Sequence, residues 1–290
     1  MVDQKSCLIV GCGDIGTRLA KLLLSKGFAV WGVRRNSDLL PHGVNRIASD
    51  ISVERTFSNW PVCDYVVYAI AASERTDEGY YQAYVKGLAN LTTWLEKTKQ
   101  NTRRLLYVSS SRVYHQQNDE WVTETSETLP LGLGQRLLEA EQLLAKSNLP
   151  STIVRFSGIY GPGREYLVKQ VKAGYGVVKS NDPYTNRIHQ DDCAGVLAYL
   201  IEQDNQGVEL AKCYNGVDHQ PARLSDVVGW LASQLSIEPT LPLSRTSNSS
   251  KRCSNRLLLD LGYQFKYPDY KAGYQEIIDK GIYKNAPFPR

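Results

Sequence analysis

Short apolar runs alternate with longer stretches of helical spacing through the first half of the chain. Ser6-Cys7-Leu8-Ile9-Val10 runs into glycine, and behind it Leu19, Ala20, Leu22 and Leu23 recur at helical spacing, which predicts strand, tight turn, helix. Phe28 to Val33 predicts a second strand, Arg46-Ile47-Ala48 a short third, and Asp64 to Ala72 a fourth that ends in small residues. A helix is predicted roughly over Gly79 to Lys99, where Tyr84, Leu88, Leu91 and Leu95 share a face that packs either a core or a partner subunit. Arg104 to Val108 reads as a fifth strand, Gly134 to Lys146 as a helix burying Leu137, Leu138, Ala140 and Leu144, and Ser151 to Phe156 as a sixth strand. Strands alternating with helices predict an α/β fold, a Rossmann-type doubly wound parallel sheet.

Past this strand the pattern loosens, and Gly, Pro and polar residues become frequent as far as Asn186. A helix over Asp192 to Glu202, a strand over Cys213 to Asn215 and a helix over Leu224 to Leu235 predict a small C-terminal α/β lobe for substrate. The expected division is a dinucleotide-binding domain over residues 1–160, to which later segments return, and a lobe made mainly of residues 161–290. Leu243 to Ser250, rich in Ser, Thr and Asn, reads as a loop.

The turn after the first strand carries Gly11-Cys12-Gly13-Asp14-Ile15-Gly16, a Gly-x-Gly-x-x-Gly pattern. Gly11 permits the turn, Gly13 lets the backbone approach a pyrophosphate, and Gly16 lets helix pack on strand. With Asp14 and Ile15 they bring a diphosphate onto the amides of a helix N-terminus. Glycines also gather in turns that hold no ligand, but this strand-turn-helix setting is the one the motif requires. The second strand ends in Arg34-Arg35-Asn36, with no acid before Asp38 to accept from a ribose 2'-hydroxyl. Two guanidiniums suit a 2'-phosphate, so NADP is preferred over NAD; the plainer reading is a solvated basic turn. Asp50 and Ile51 after the third strand, Ala69 and Ala71 after the fourth, and Ser109 after the fifth complete the cofactor candidates.

Composition narrows the setting. A net charge of +4 is small beside 34 basic and 30 acidic residues, and without a long basic run nucleic-acid binding has no support. The six cysteines, Cys7, Cys12, Cys63, Cys193, Cys213 and Cys253, form no CxxC pair, which favours reduced thiols over disulfides or a metal site. No apolar segment approaches the roughly 18 residues that span a bilayer, and Met1 to Lys5 lead straight into a strand. A cytoplasmic protein without membrane contact is expected.

Four further stretches join the glycine turn: Tyr107-Val108-Ser109-Ser110-Ser111-Arg112-Val113-Tyr114, Arg155 to Arg164, Asn186 to Asp192, and Tyr214-Asn215-Gly216. Together and in this order they resemble the extended short-chain dehydrogenase/reductase superfamily, in its nucleoside-diphosphate-sugar epimerase/dehydratase branch. The resemblance implies hydride transfer. In active members a Tyr beside a Lys exchanges a proton with a substrate hydroxyl, which a Ser or Thr orients. Ser110 matches the Ser. The family's Tyr-x-x-x-Lys precedes a helical Glu, and aligning that acid with Glu139 puts Leu131 and Gln135 where Tyr and Lys belong. Aligning it with Glu141 gives Leu133 and Leu137. Neither register supplies a titratable proton or a cation, so the chain is an atypical member on this reading.

Tyr114 and His189 are candidate replacements, each with packing as its plainer role. Tyr160 is expected near the nicotinamide, and Arg155, Arg164 and Arg187 are candidates for a substrate diphosphate or simple surface charges. Three functions stay open: an NADP-dependent enzyme on a nucleotide-sugar or related polar compound, an NADP(H) sensor without turnover, and a reductase passing hydride to an acceptor such as a flavin. A homodimer through paired helices is a family expectation.

Overall fold

A computed structural model describes residues 4–53, 57, 60–99, 101–177, 182–243 and 250–281; most of the expected loop over 243–250, residues 244–249, lies outside them. The central sheet has seven strands: β1 (Ser6–Val10), β2 (Ala29–Arg34), β3 (Asn45–Ala48), β4 (Tyr65–Tyr68), β5 (Arg104–Ser110), β6 (Ser151–Phe156) and β7 (Cys213–Gly216). Their order is β7-β6-β5-β4-β1-β2-β3. Strand β1 runs parallel to β2 and β4, with Val10 opposite Val33 on one side and Tyr68 on the other. The β2/β3 and β4/β5 pairs are parallel as well. A parallel sheet is covered on both faces, which is why Cys7 to Val10 form an unbroken apolar run and are fully buried.

Helix α1 (Asp14–Ser25) follows the glycine turn and buries Ile15, Leu19, Ala20 and Leu23. The helix predicted over 79–99 has three parts: α2 (Asp77–Tyr80), a wide π turn (Tyr81–Lys86) and α3 (Gly87–Lys97). Thr76 caps its start, accepting a hydrogen bond from Gly79 N at 3.0 Å. The wide turn has a visible cause: Tyr68, buried on β4, sends its hydroxyl to Ala83 O inside the helix. Gly87 lets that hydroxyl in, since any Cβ there would strike it. Strand β4 ends at Tyr68, four residues earlier than predicted, although Ala69 N still donates to Val10 O at 2.8 Å.

Helix α4 (Gly134–Lys146) and β6 have the bounds read from the sequence. Contacts divide the chain into two compact units, the first spanning 1–113, 127–155 and 194–214 and the second 114–126, 156–193 and 215–290. Most of helix α6 (Gln190–Asn205) and the start of β7, expected in the C-terminal lobe, therefore belong to the first unit. The first unit's core gathers Leu8, Val10, Tyr68, Leu88, Leu91, Leu105, Tyr107 and Leu144.

In the second unit, which also holds the short helix α8 (Arg256–Asp260), helices α5 (Tyr166–Lys172), α7 (Leu224–Leu235) and α9 (Tyr270–Asp279) enclose a core of Val168, Val171, Val227, Leu231, Tyr274 and Ile277. Short parallel pairings join 188–189 to 159–160 and 251–253 to 120–122. Among the described residues no helix is long and apolar enough to cross a membrane, and no cluster of His, Cys, Asp and Glu could hold a metal ion.

Candidate functional site

In a parallel sheet the carboxyl ends of β1, β4 and β5 lie side by side at one edge, and there the glycine turn sits. Gly11 has φ +88°, and a Cβ on it would come within 2.6 Å of Ile70 Cγ1 and 2.7 Å of Ile70 N. A Cβ on Gly16 would stand 2.9 Å from Gly11 O, so helix and turn touch backbone to backbone. Gly13 differs: a Cβ there meets nothing nearer than Gly11 O at 4.0 Å and would project into open space over the turn. Gly13 is also the N-cap of α1, and no side chain caps that helix. The first-turn amides of Asp14, Ile15 and Gly16 therefore head an uncapped helix dipole, the arrangement that suits a diphosphate. Asp14 is exposed and paired with Arg18 at 3.1 Å, whereas Ile15 packs inward.

Arg34 ends β2 half-buried, close enough to Cys12 for its charge to favour that thiolate, although burial outweighs it and pushes the thiol up to about 11. Arg35 is exposed, and its charge acts on Asp50. Neither guanidinium makes a hydrogen bond or an ion pair among the described residues. Asp50 accepts from Ser52 Oγ at 2.7 Å and Ser52 N at 3.0 Å, which hold its carboxyl below the usual range. Ile51 is buried, and its carbonyl accepts from Asn90 Nδ2 at 3.0 Å. Ala69 is half-buried and Ala71 exposed beyond the end of β4.

At the end of β5 the two serines diverge. Ser110 is half-buried, and its Oγ accepts from Arg112 N at 3.2 Å. Ser109, expected beside the cofactor, instead points its hydroxyl into the first unit, donating to Glu141 Oε1 at 2.6 Å. Arg155 is corrected likewise: it is buried and gives Nη2 to Glu141 Oε2 at 2.6 Å and Nε to Oε1 at 3.1 Å, so its charge is matched inside the fold. Leu131 is exposed on the turn before α4 and Gln135 is exposed in its first turn. Beside them Arg136 forks onto Asp77 at 2.7 and 3.0 Å and reaches Glu139 at 2.7 Å, tying α4 to α2.

In the second unit Tyr114 is buried and donates to Asn215 Oδ1 at 2.8 Å, which commits the phenol to packing. Tyr160 is buried against Tyr274 at 4.4 Å between ring centroids, with its hydroxyl 3.4 Å from Asp269 O, so it is a core residue of this unit. His189 is fully buried: Nδ1 accepts from Asp191 N at 3.2 Å, Nε2 stands 3.1 Å from Glu276 Oε2, and the ring lies 4.0 Å from that of Tyr267. It ties α9 to the 188–191 segment. Arg164 is exposed. Arg187 is buried, donating to Thr185 O at 3.4 Å, with its charge felt by Asp218. Burial pushes the Asp218 carboxyl up to about 8, against the pull of Gln220 N and Arg187. A cleft of about 420 Å³ in this unit is lined by Tyr184, Trp230, Tyr270 and Asp226.

Two features escaped the sequence reading. Glu141 was visible only as an alignment register, while its pairing needs Ser109 and Arg155 brought together. Tyr84 reads as one more apolar helix position, yet its hydroxyl accepts from Ala72 N at 3.5 Å, just past the end of β4.

A doubly wound sheet with this glycine turn at its carboxyl edge defines a dinucleotide-binding Rossmann protein. The family model for NAD(P)H-binding proteins matches residues 11–204. A candidate NAD-dependent epimerase/dehydratase from Methylobacillus flagellatus is 37% identical, aligned over 96% of this chain and 99% of its own, with a TM-score of 0.82. The chain belongs to the NAD(P)H-binding family, among its epimerase/dehydratase-like short-chain dehydrogenase/reductases. The same fold occurs in human epimerase family protein SDR39U1 solved with NADPH, at 20% identity over 97% of this chain and 100% of that one, TM-score 0.75. It occurs too in Thermotoga maritima UDP-glucose 4-epimerase with UDP-glucose, at 17% identity over 96% and 99%, TM-score 0.79. No curated protein matches the sequence.

Proposed function

We propose that this protein binds NADP(H) in preference to NAD(H) and exchanges hydride with a carbonyl or hydroxyl of a nucleotide-sugar or related small polar compound, without the family's Tyr-Lys pair. The observation that carries the reading is the uncapped start of α1 over Gly13, with two guanidiniums nearby that have no protein partner among the described residues. Gly11, Gly13 and the amides of Asp14, Ile15 and Gly16 would hold the diphosphate, Arg34 and Arg35 a 2'-phosphate, Asp50 and Ile51 the adenine side, and Ala69 and Ala71 the floor. When bound, the dinucleotide supplies or takes up hydride at a substrate carbon. Ser110 would orient the substrate oxygen, and Arg164 and Arg187 of the second unit are each proposed, separately, as phosphate-binding cations.

Buried thiols at Cys7, Cys12 and Cys63, all pushed upward by burial, agree with a reduced, cytoplasmic setting. A homodimer is part of the proposal. Calorimetry with NADPH and NADH tests the core of it: NADPH should bind at least about tenfold tighter. Equal affinities would remove the phosphate preference, and no heat with either nucleotide would remove the reading.

The exposed Leu131 and Gln135 favour a second reading, a sensor whose association with a partner follows NADP(H) occupancy. A sensor binds the nucleotide without consuming it, and its partner's affinity shifts reciprocally with the cofactor.

A further inference from the structure

With Glu139 as the family's helical acid, Leu131 and Gln135 stand where phenol and ammonium belong, and the first unit offers a phenol from elsewhere. Tyr84 lies in the wide π turn, half-buried, with its hydroxyl 3.5 Å from Ala72 N and its ring tilted 58° to that of Tyr80 at 5.1 Å. Ala72 closes the small-residue run Ala69-Ile70-Ala71-Ala72, whose Ile70 backbone packs against the glycine turn. Arg112, exposed two residues past Ser110 and donating its N–H to Ser110 Oγ at 3.2 Å, carries a charge that favours a Tyr84 phenolate. Apart from the half-buried Tyr80, the other phenols around it are spent or shut away. Tyr65 is bonded to Asp204, Tyr68 to Ala83 O, and Tyr107 is fully buried. Tyr81 is covered by the Arg136 guanidinium at 5.2 Å.

We infer that Tyr84 is the proton-exchanging phenol of this protein, with Arg112 in the role of the missing ammonium and Ser110 beside them. This rests on the dinucleotide reading above. In the direction from carbonyl to hydroxyl, the Tyr84 O–H bond breaks as an O–H bond forms on the substrate oxygen. The electron pair of the new C–H bond comes from a dihydronicotinamide, and the phenolate regains its proton from solvent. Without cofactor, burial holds the Tyr84 phenol above its ordinary value, while Arg112 and the Ala72 N–H pull it down. Tyr80, Tyr68 and Tyr107 are the other titratable groups that face it. The π turn is the device that matters, because such turns recur at functional sites and re-aim a side chain within a continuous helix.

The test is a tyrosinate difference titration of the whole chain, with and without saturating NADP+, in wild type, Tyr84→Phe, Arg112→Gln and Tyr80→Phe, each checked for wild-type thermal unfolding. A positive charge placed near the phenol should raise its acid dissociation constant at least about tenfold. That change should vanish in Tyr84→Phe, shrink in Arg112→Gln and survive in Tyr80→Phe. If NADP+ binds and no tyrosine responds, or the response persists in Tyr84→Phe, the assignment is overturned. If calorimetry shows no binding of NADP+, the dinucleotide reading falls first and takes this inference with it.

Discussion

Arg155 grips both carboxylate oxygens of Glu141, at 2.6 and 3.1 Å, with side chains only 8% and 6% exposed. Ser109 adds a third hydrogen bond to the same carboxylate at 2.6 Å, so β5, β6 and α4 meet at one buried charge. Removing the guanidinium would strand that charge. Arg155→Met should therefore cost about 3–5 kcal/mol, and adding Glu141→Leu should restore most of it. Urea denaturation of the single and double variants checks this.

The glycine turn separates folding from binding. Gly11→Ala puts a Cβ against Ile70 and forces a left-handed residue, a loss of at least about 1–3 kcal/mol visible in thermal unfolding. Gly13→Ala meets open space, so stability should stay within about 0.5 kcal/mol of wild type. Its dinucleotide affinity should nevertheless collapse, because the methyl occupies the place of the diphosphate. Calorimetry beside a melting curve reads both.

Arg34 and Arg35 set the expected choice of nucleotide. Replacing both by Ala should weaken NADPH binding by about 10- to 100-fold, from the loss of charge-assisted hydrogen bonds. NADH binding should change less than about threefold. Equal losses for the two nucleotides would mean that the arginines do not read the phosphate.

Asp218 gives a pH signature of stability. Its carboxyl is pushed from 3.8 up to about 8 by burial, reinforced by Asp269 and Asp192, while Gln220 N and Arg187 oppose the rise. An acid whose folded-state value is raised holds its proton longer in the native chain, so between pH 4 and 8 the unfolded chain binds fewer protons. Stability should fall through that window, by at most about 1.4 kcal/mol per pH unit from this group, and level off above it. Asp218→Asn should flatten the decline. Denaturation of both proteins at pH 5 and pH 8 decides the matter; parallel slopes would exclude Asp218 as its source.

Most of the architecture was legible because its signals are local. Strands buried on two faces read as unbroken apolar runs, and α4 shows its buried stripe at Leu137, Leu138, Ala140 and Leu144. The glycine turn was legible for the same reason, since turn, cradle and helix start are contiguous. Residues whose surroundings come from distant segments were not. Arg155 reads as a phosphate ligand or a surface charge because Glu141 shows no local tie to it, and for His189 and Tyr160 a site role stays open beside packing because α9, which buries them, is far along the chain. Tyr84 was hidden by a different cause: a simple helical period cannot register the extra residue that Tyr68 inserts into the turn.

That extra residue has an evolutionary corollary. A one-codon deletion between Tyr84 and Leu88 would let the spiral close into regular α-helix and swing everything before it by about 100°. Leu88, Leu91 and Leu95 would keep their seats while the aromatic ring turned to another neighbour. Lineages differing by one indel at this spot could therefore share a scaffold and part ways in chemistry.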